Sequence, residues 1–96
     1  MIACYILYSC SLDKFYTGIT QESVDGRLQL HNSSSYGNHF TSQAADWVVF
    51  LVIECDSVSQ SMKIEKHIKK MKSKNYIHNL KAYPEIIEKL RLKFSN

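Results

Sequence analysis

Glu65 is the one acidic residue between Ser57 and Pro84, in a stretch that carries Lys63, Lys66, Lys69, Lys70, Lys72, Lys74 and Lys81. At about 100° per residue of helix it lies roughly 60° from Ile68, on the border of an apolar stripe. A carboxylate at the edge of a core, ringed by lysines, suits a hard cation held beside bound phosphates. Mg²⁺ fits such a place because it often takes one or two protein carboxylates and keeps several waters. The competing reading is an ordinary Glu65–Lys69 helix pair worth a few tenths of a kcal/mol.

Arg27 and His31 stand four apart, hence on one helix face, and Arg27 is the only arginine before Arg91. A guanidinium grips two phosphate oxygens and offsets charge that develops there, and a histidine relays a proton near neutrality. An exposed arginine paired with an acid such as Glu22, beside a partly buried histidine, accounts for the same pattern without chemistry. Tyr5 and Tyr16 fall on neighbouring apolar segments, with Tyr8 close by. Their rings can fill a core or stack bases, and a tyrosine used as a base must overcome a pKa near about 10, which requires positive charge nearby. Lys63, Lys66, Lys70 and Lys74 share one face on a helical wheel, with Lys69 beside them. That face either tracks phosphates or is simply solvated.

The elements that must position these groups are legible from pattern. Ile2 to Cys10 is apolar, aromatic and β-branched, which predicts a strand, and after a turn at Ser11–Lys14 the segment Phe15–Ile19 predicts its hairpin partner. Ile2, Cys4, Ile6 and Tyr8 point one way and Ala3, Tyr5 and Leu7 the other, so both faces are expected to be covered. Val24 to His31 follows cap-type residues with helical spacing, although Gly26 weakens it by about 1 kcal/mol relative to Ala. Asn32 to Asp46 has no periodicity and reads as a long loop of the kind that carries function. Trp47–Ile53 is apolar without alternation, as in a strand buried on both faces. Ser57–Gln60 fits a capping box, and the helix beyond it is expected to pack through Ile64, Ile68 and Met71. A shorter helix is expected around Tyr76, Ile77 and Leu80, and a last one over 84–94 opens with Pro84. The order is β-β-α-β-α-α, an α+β arrangement in one domain spanning 1–96.

Composition narrows the class. The 96 residues carry a net charge of +3. Residues 1–62 hold two basic against six acidic residues, while 63–96 hold ten against three, a −4 segment followed by a +7 one. Such asymmetry suggests a nucleic-acid or acidic-membrane surface in the last third. The longest apolar run is far short of a bilayer span, and no basic leader with an apolar stretch opens the chain. Cys4, Cys10 and Cys55 have no CxxC spacing, so reduced thiols in a cytoplasmic protein are expected and structural zinc is not.

These groups occur in a recognisable order. Ala3-Cys4-Tyr5, ten residues, then Tyr16-Thr17-Gly18 resembles the paired half-motifs of the GIY-YIG nuclease family. Tyr16 to Thr20 followed by Arg27 and His31-Asn32, and then Ile64 to Met71 with its glutamate, is similar to small single-domain members related to the nuclease domain of the bacterial excision-repair endonuclease. The resemblance covers residues 2–80. Ala3-Cys4 replaces the Gly-Ile of the first half-motif and Thr17 the Ile of the second. The resemblance implies a small three-stranded antiparallel sheet flanked by helices. It also implies metal-dependent hydrolysis of DNA phosphodiesters, leaving a 5′-phosphate and a 3′-hydroxyl, in a DNA repair or recombination setting. It casts Tyr5 as general base, Tyr16 as a contact to water or phosphate, Arg27 as the neutraliser of the scissile phosphate, His31 as its assistant and Glu65 as the ligand of Mg²⁺ or Mn²⁺. An asparagine after the glutamate helix belongs to several members. Asn75 and Asn79 are both available, and Asn79 is retained as the candidate. Lys63, Lys66, Lys69, Lys70 and Lys74 are the expected nucleic-acid contacts.

Two readings of different class follow. One is a DNA endonuclease, with RNA as an alternative substrate and a partner protein supplying specificity. The other is a non-catalytic nucleic-acid-binding module that uses the Lys63–Lys74 helix and the tyrosines.

Overall fold

The computed structural model describes residues 1–33 and 43–95. Its elements are β1 (Ala3–Ser9), β2 (Lys14–Thr20), α1 (Val24–Asn32), β3 (Trp47–Glu54), α2 (Val58–Met71), α3 (Lys74–Ala82) and α4 (Pro84–Lys93). The three strands form one antiparallel sheet in the order β2-β1-β3. This is the expected α+β architecture, and the short helix expected around Ile77 forms as α3, so that three helices follow β3 among the described residues where the order β-β-α-β-α-α counts two. Most of the predicted 32–46 loop, residues 34–42, lies outside the described residues.

The central strand is covered on both faces, as its sequence demands. Ala3, Tyr5 and Leu7 pack with Val24 of α1 and Trp47, while Cys4 and Ile6 pack with Ile53, Ile64, Ile68, Ile77, Leu80 and Leu90. One face of the sheet therefore belongs to α1 and the other to α2, α3 and α4. β3 is an edge strand and is not buried on both faces as its run predicts, since Val48 is 55% and Val52 38% exposed. The absent alternation in its middle has a specific cause. The β1–β3 register pairs Ile6 with Leu51 but Leu7 with Val49, a bulge that leaves Phe50 as the extra residue. Phe50 and Leu51, though consecutive, both serve the α2–α4 side, and Val49 serves the α1 side.

Serines start three of the helices. Ser23, Ser57 and Ser73 each accept a hydrogen bond from the backbone N–H three residues on, at 3.1, 3.0 and 3.1 Å. The capping box at Ser57 is not reciprocal, however. Gln60 sends its side-chain oxygen to the N–H of Asp56 at 2.6 Å and donates its amide to the carbonyl of Arg91 at 2.9 Å. Its buried amide thus ties the start of α2 to the end of α4. Met71 also departs from expectation, being 44% exposed. The helix ends there with Lys72 in a left-handed conformation, and the core beyond Ile68 is filled from α3 by Ile77 and Leu80.

Candidate active site

Tyr5 sits in the middle of the central strand, and its directly paired neighbour on β2 is Gly18. A β-carbon on Gly18 would lie 2.7 Å from Tyr5 Oη, 2.8 Å from Tyr5 Cζ and 3.0 Å from Tyr16 Cε2. The Tyr-x-Gly spacing is thereby explained: glycine at 18 is the space in which both tyrosine rings stand. Sequence reasoning treated Gly18 only as part of a motif. A glycine in mid-strand, where it otherwise weakens a sheet, was the signal for such a close approach.

The ring of Tyr5 is fully buried and reaches toward α1, where its hydroxyl lies 3.1 Å from Nε2 of His31, itself 0% exposed. The Tyr16 ring stands 4.7 Å from the His31 ring and 6.4 Å from that of Tyr5, centroid to centroid. Burial, and then the Arg27 charge one turn away, hold the His31 pKa below its usual value. Both effects favour the neutral imidazole. In the tautomer with a bare Nε2, the Tyr5 hydroxyl donates to it.

What aims His31 at Tyr5 is its neighbour Asn32. The Asn32 amide donates to the Trp47 carbonyl at 2.9 Å and accepts from the Trp47 N–H at 2.7 Å. The side chain imitates a strand backbone and pins the end of α1 to the start of β3. The sequence shows only one more loop-type residue there, so its positioning role was not visible.

Glu65 approaches from the other face of the sheet, on α2, with its side chain 23% exposed. It meets the Lys69 ammonium at 3.4 Å, so the expected helix pair exists. That ammonium also sits 5.8 Å from the centre of the Tyr16 ring, within cation–π range, so Lys69 reaches round the β2 edge to the tyrosines. The Cys4 thiol, next to Tyr5 on β1, is pushed up by burial first, then by Cys55 and by the charge of Glu65, while Lys69 acts oppositely. Arg27 opens on the same edge. It lines a hollow of about 440 Å³ with Ile19, Thr20 and Ser61, and Ser61 shares its α2 face with Glu65 four residues on.

The structure thus brings Tyr5, Tyr16 and His31 into direct contact, with Arg27 acting on His31 and Glu65 bordering them through Lys69. Asn79 and Asn75 are both exposed on α3. Tyr8 faces away: it donates to Asp13 at 2.7 Å, which with lesser contributions holds its phenol up to about 12. Lys63, Lys66, Lys69 and Lys70 are exposed on α2. Lys74 does not share their face, because the helix breaks at Lys72. It begins α3 and grips Asp13, bonding its carbonyl at 2.6 Å and its carboxylate at 3.0 Å.

Among the described residues, no three His, Cys, Asp or Glu side chains converge as a metal-binding group. Glu65 would be a single protein ligand. A lone, partly exposed carboxylate fits an ion that completes its octahedron with waters and phosphate oxygens.

The sheet thus carries two tyrosines and a glycine on one hairpin, with arginine and histidine on one flanking helix and a single glutamate on another. Residues 1–78 match the family model described as the GIY-YIG catalytic domain, and the chain belongs to that family of endonuclease domains. It is similar to a "UPF0213 protein" of Syntrophus aciditrophicus (strain SB), at 37% identity over 81 residues, covering 84% of this chain and 91% of that protein. No solved structure gives a significant match. No helix among the described residues is long and apolar enough to cross a membrane.

Proposed function

We propose that this chain is a divalent-metal-dependent endonuclease that hydrolyses DNA phosphodiester bonds. The observation that carries this reading is the buried 3.1 Å contact between Tyr5 Oη and His31 Nε2, with Tyr16 against the same imidazole. A phenol is a poor base unless its own proton has somewhere to go, and His31 Nε2 is that place. Because Tyr5 is buried in the free protein, the reaction requires that DNA binding open a path to it. As water then attacks phosphorus, its proton passes to Tyr5 Oη while the Tyr5 proton passes to Nε2. The bond from phosphorus to the 3′ oxygen breaks, and that oxygen leaves as a 3′-hydroxyl after taking a proton from solvent. Arg27, which acts electrostatically on His31, offsets the charge on the scissile phosphate and disfavours a charged imidazole before reaction. Tyr16 borders the attacking water. Bound at Glu65, Mg²⁺ or Mn²⁺ would supply charge stabilisation for the leaving oxygen.

The lysines of α2 provide a phosphate-tracking surface whose contribution falls with salt. A repair or recombination setting, with a partner protein supplying specificity, is the context this reading fits. Nicked DNA should carry a 5′-phosphate and a 3′-hydroxyl, so DNA ligase should reseal it; nicks that ligase cannot reseal contradict the proposed chemistry. RNA offered in the same assay decides between the two substrates. The Glu65–Lys69 ion pair favours a second reading, a binding module. That reading expects salt-sensitive binding indifferent to loss of Glu65, and no cleavage with any metal.

A further inference from the structure

Between the start of β2 and the α2–α3 junction lies a hollow of about 480 Å³, with Tyr16 in its wall. Phe15 and Ile68 give it an apolar lining, and Lys14, Lys69, Lys72 and Lys74 stand around it. Two of these charges are offset nearby, Lys69 by Glu65 and Lys74 by Asp13. Lys72 is different: it has no carboxylate partner among the described residues. It also stands at φ 49°, in the left-handed region where helices usually end in glycine. A lysine there accepts a backbone cost that glycine avoids, and what it brings instead is a positive charge at the mouth of an apolar hollow.

We propose that this hollow is a subsite for one unpaired nucleotide of the bound strand, with its base against Phe15 and a flanking phosphate on Lys72. The inference rests on the nucleic-acid reading above and adds to it a place where a base, not only the backbone, is held. The volume lies within the range of small-ligand pockets. An apolar lining under a cationic rim matches a flat base attached to phosphates and no simpler anion, since a free phosphate gains nothing from Phe15. A base inside a duplex cannot enter without leaving its stack, so the subsite favours strands that are already unpaired.

The test measures binding in EDTA, where no turnover occurs. Fluorescence anisotropy with a fluorescein-labelled oligothymidylate of about twelve nucleotides should give tighter binding than a blunt duplex of equal length. Lys72→Glu should weaken the single strand about tenfold at low salt. Lys72→Gly, which keeps the left-handed cap and removes only the charge, should weaken it about threefold. The same oligonucleotide carrying 5-iododeoxyuridine should photo-cross-link to the peptide that contains Phe15. Unchanged affinity in both variants, or a cross-link that is absent or maps elsewhere, overturns the subsite. If plasmid is nicked while these results fail, only the subsite falls. If they hold in a chain that nicks nothing, only the nuclease reading falls.

Discussion

Tyr5 Oη and His31 Nε2 face one another across 3.1 Å in a part of the molecule closed to solvent. The contact joins the centre of the sheet to the end of α1, across 26 residues of sequence. It depends on two devices, the empty space at Gly18 that admits the Tyr5 ring and the Asn32 amide that fixes the end of α1.

Gly18→Ala tests the first device. The new methyl would stand 2.7–3.0 Å from atoms of both tyrosine rings, and overpacking of this kind costs about 1–3 kcal/mol. Urea denaturation should register that loss, and cleavage should fall further than the residual folded fraction explains. Wild-type cleavage by this variant would show that the tyrosine geometry does not matter.

Asn32→Ala tests the second. Removing two hydrogen bonds and leaving the Trp47 backbone groups without them should cost about 2 kcal/mol in urea denaturation. Asn32→Asp retains the acceptor for the Trp47 N–H and loses the donor, so it should fall between wild type and alanine.

The depressed pKa of His31 makes a prediction about pH. The unfolded chain takes up a proton near pH 6.5 that the folded chain resists, so His31 favours folding fully above that pH and loses this contribution as pH falls through its lower folded value. His67 acts in the same direction, through burial and then Lys93 and Lys70. Urea midpoints should therefore be flat from about pH 7 to about pH 8, below the range where the raised Cys4 and Cys55 thiols begin to matter, and decline below about 6.5. His31→Gln should make that decline shallower, with the remainder due to His67 and, at lower pH, to Asp13 and Asp46, whose carboxyls are held below their usual value. An unaltered slope in the variant contradicts the buried neutral histidine.

Arg27→Lys keeps the charge and loses the planar fork. Removal of a donor that stabilises transition-state charge costs about 10²–10³ in rate, and Lys should recover little of it because an ammonium does not grip two oxygens in parallel. Arg27→Ala and Arg27→Lys should both melt within a few degrees of wild type. A lysine variant as fast as wild type would reduce the role of Arg27 to net charge.

The hairpin, its two covered faces and the order of elements could be read from the sequence because they follow from apolar patterning, which is local. Tyr5, Tyr16, Arg27, His31 and Glu65 stood out by type and spacing only as candidates with ordinary structural explanations, and what joined them into one site was their order, which resembles that of the GIY-YIG family. Three features could not. The wheel that carried the lysine face on to Lys74 assumed an unbroken helix, and the left-handed turn at Lys72 has no glycine to announce it. Met71 fell outside the core for the same reason. The work of Asn32 and Gln60 depends on backbone groups 15 and 31 residues away, and no local pattern reports such distant partners.

Nicking of supercoiled plasmid in Mg²⁺ or Mn²⁺ by wild type and by Glu65→Ala, with melting curves for both, tests the central claim most directly. Glu65→Ala loses only an ion pair with a half-exposed lysine, worth well under about 1 kcal/mol, so its fold should survive. The account predicts metal-dependent nicking by wild type and none by the folded variant. Equal nicking by both, or none by wild type with either metal, would contradict it.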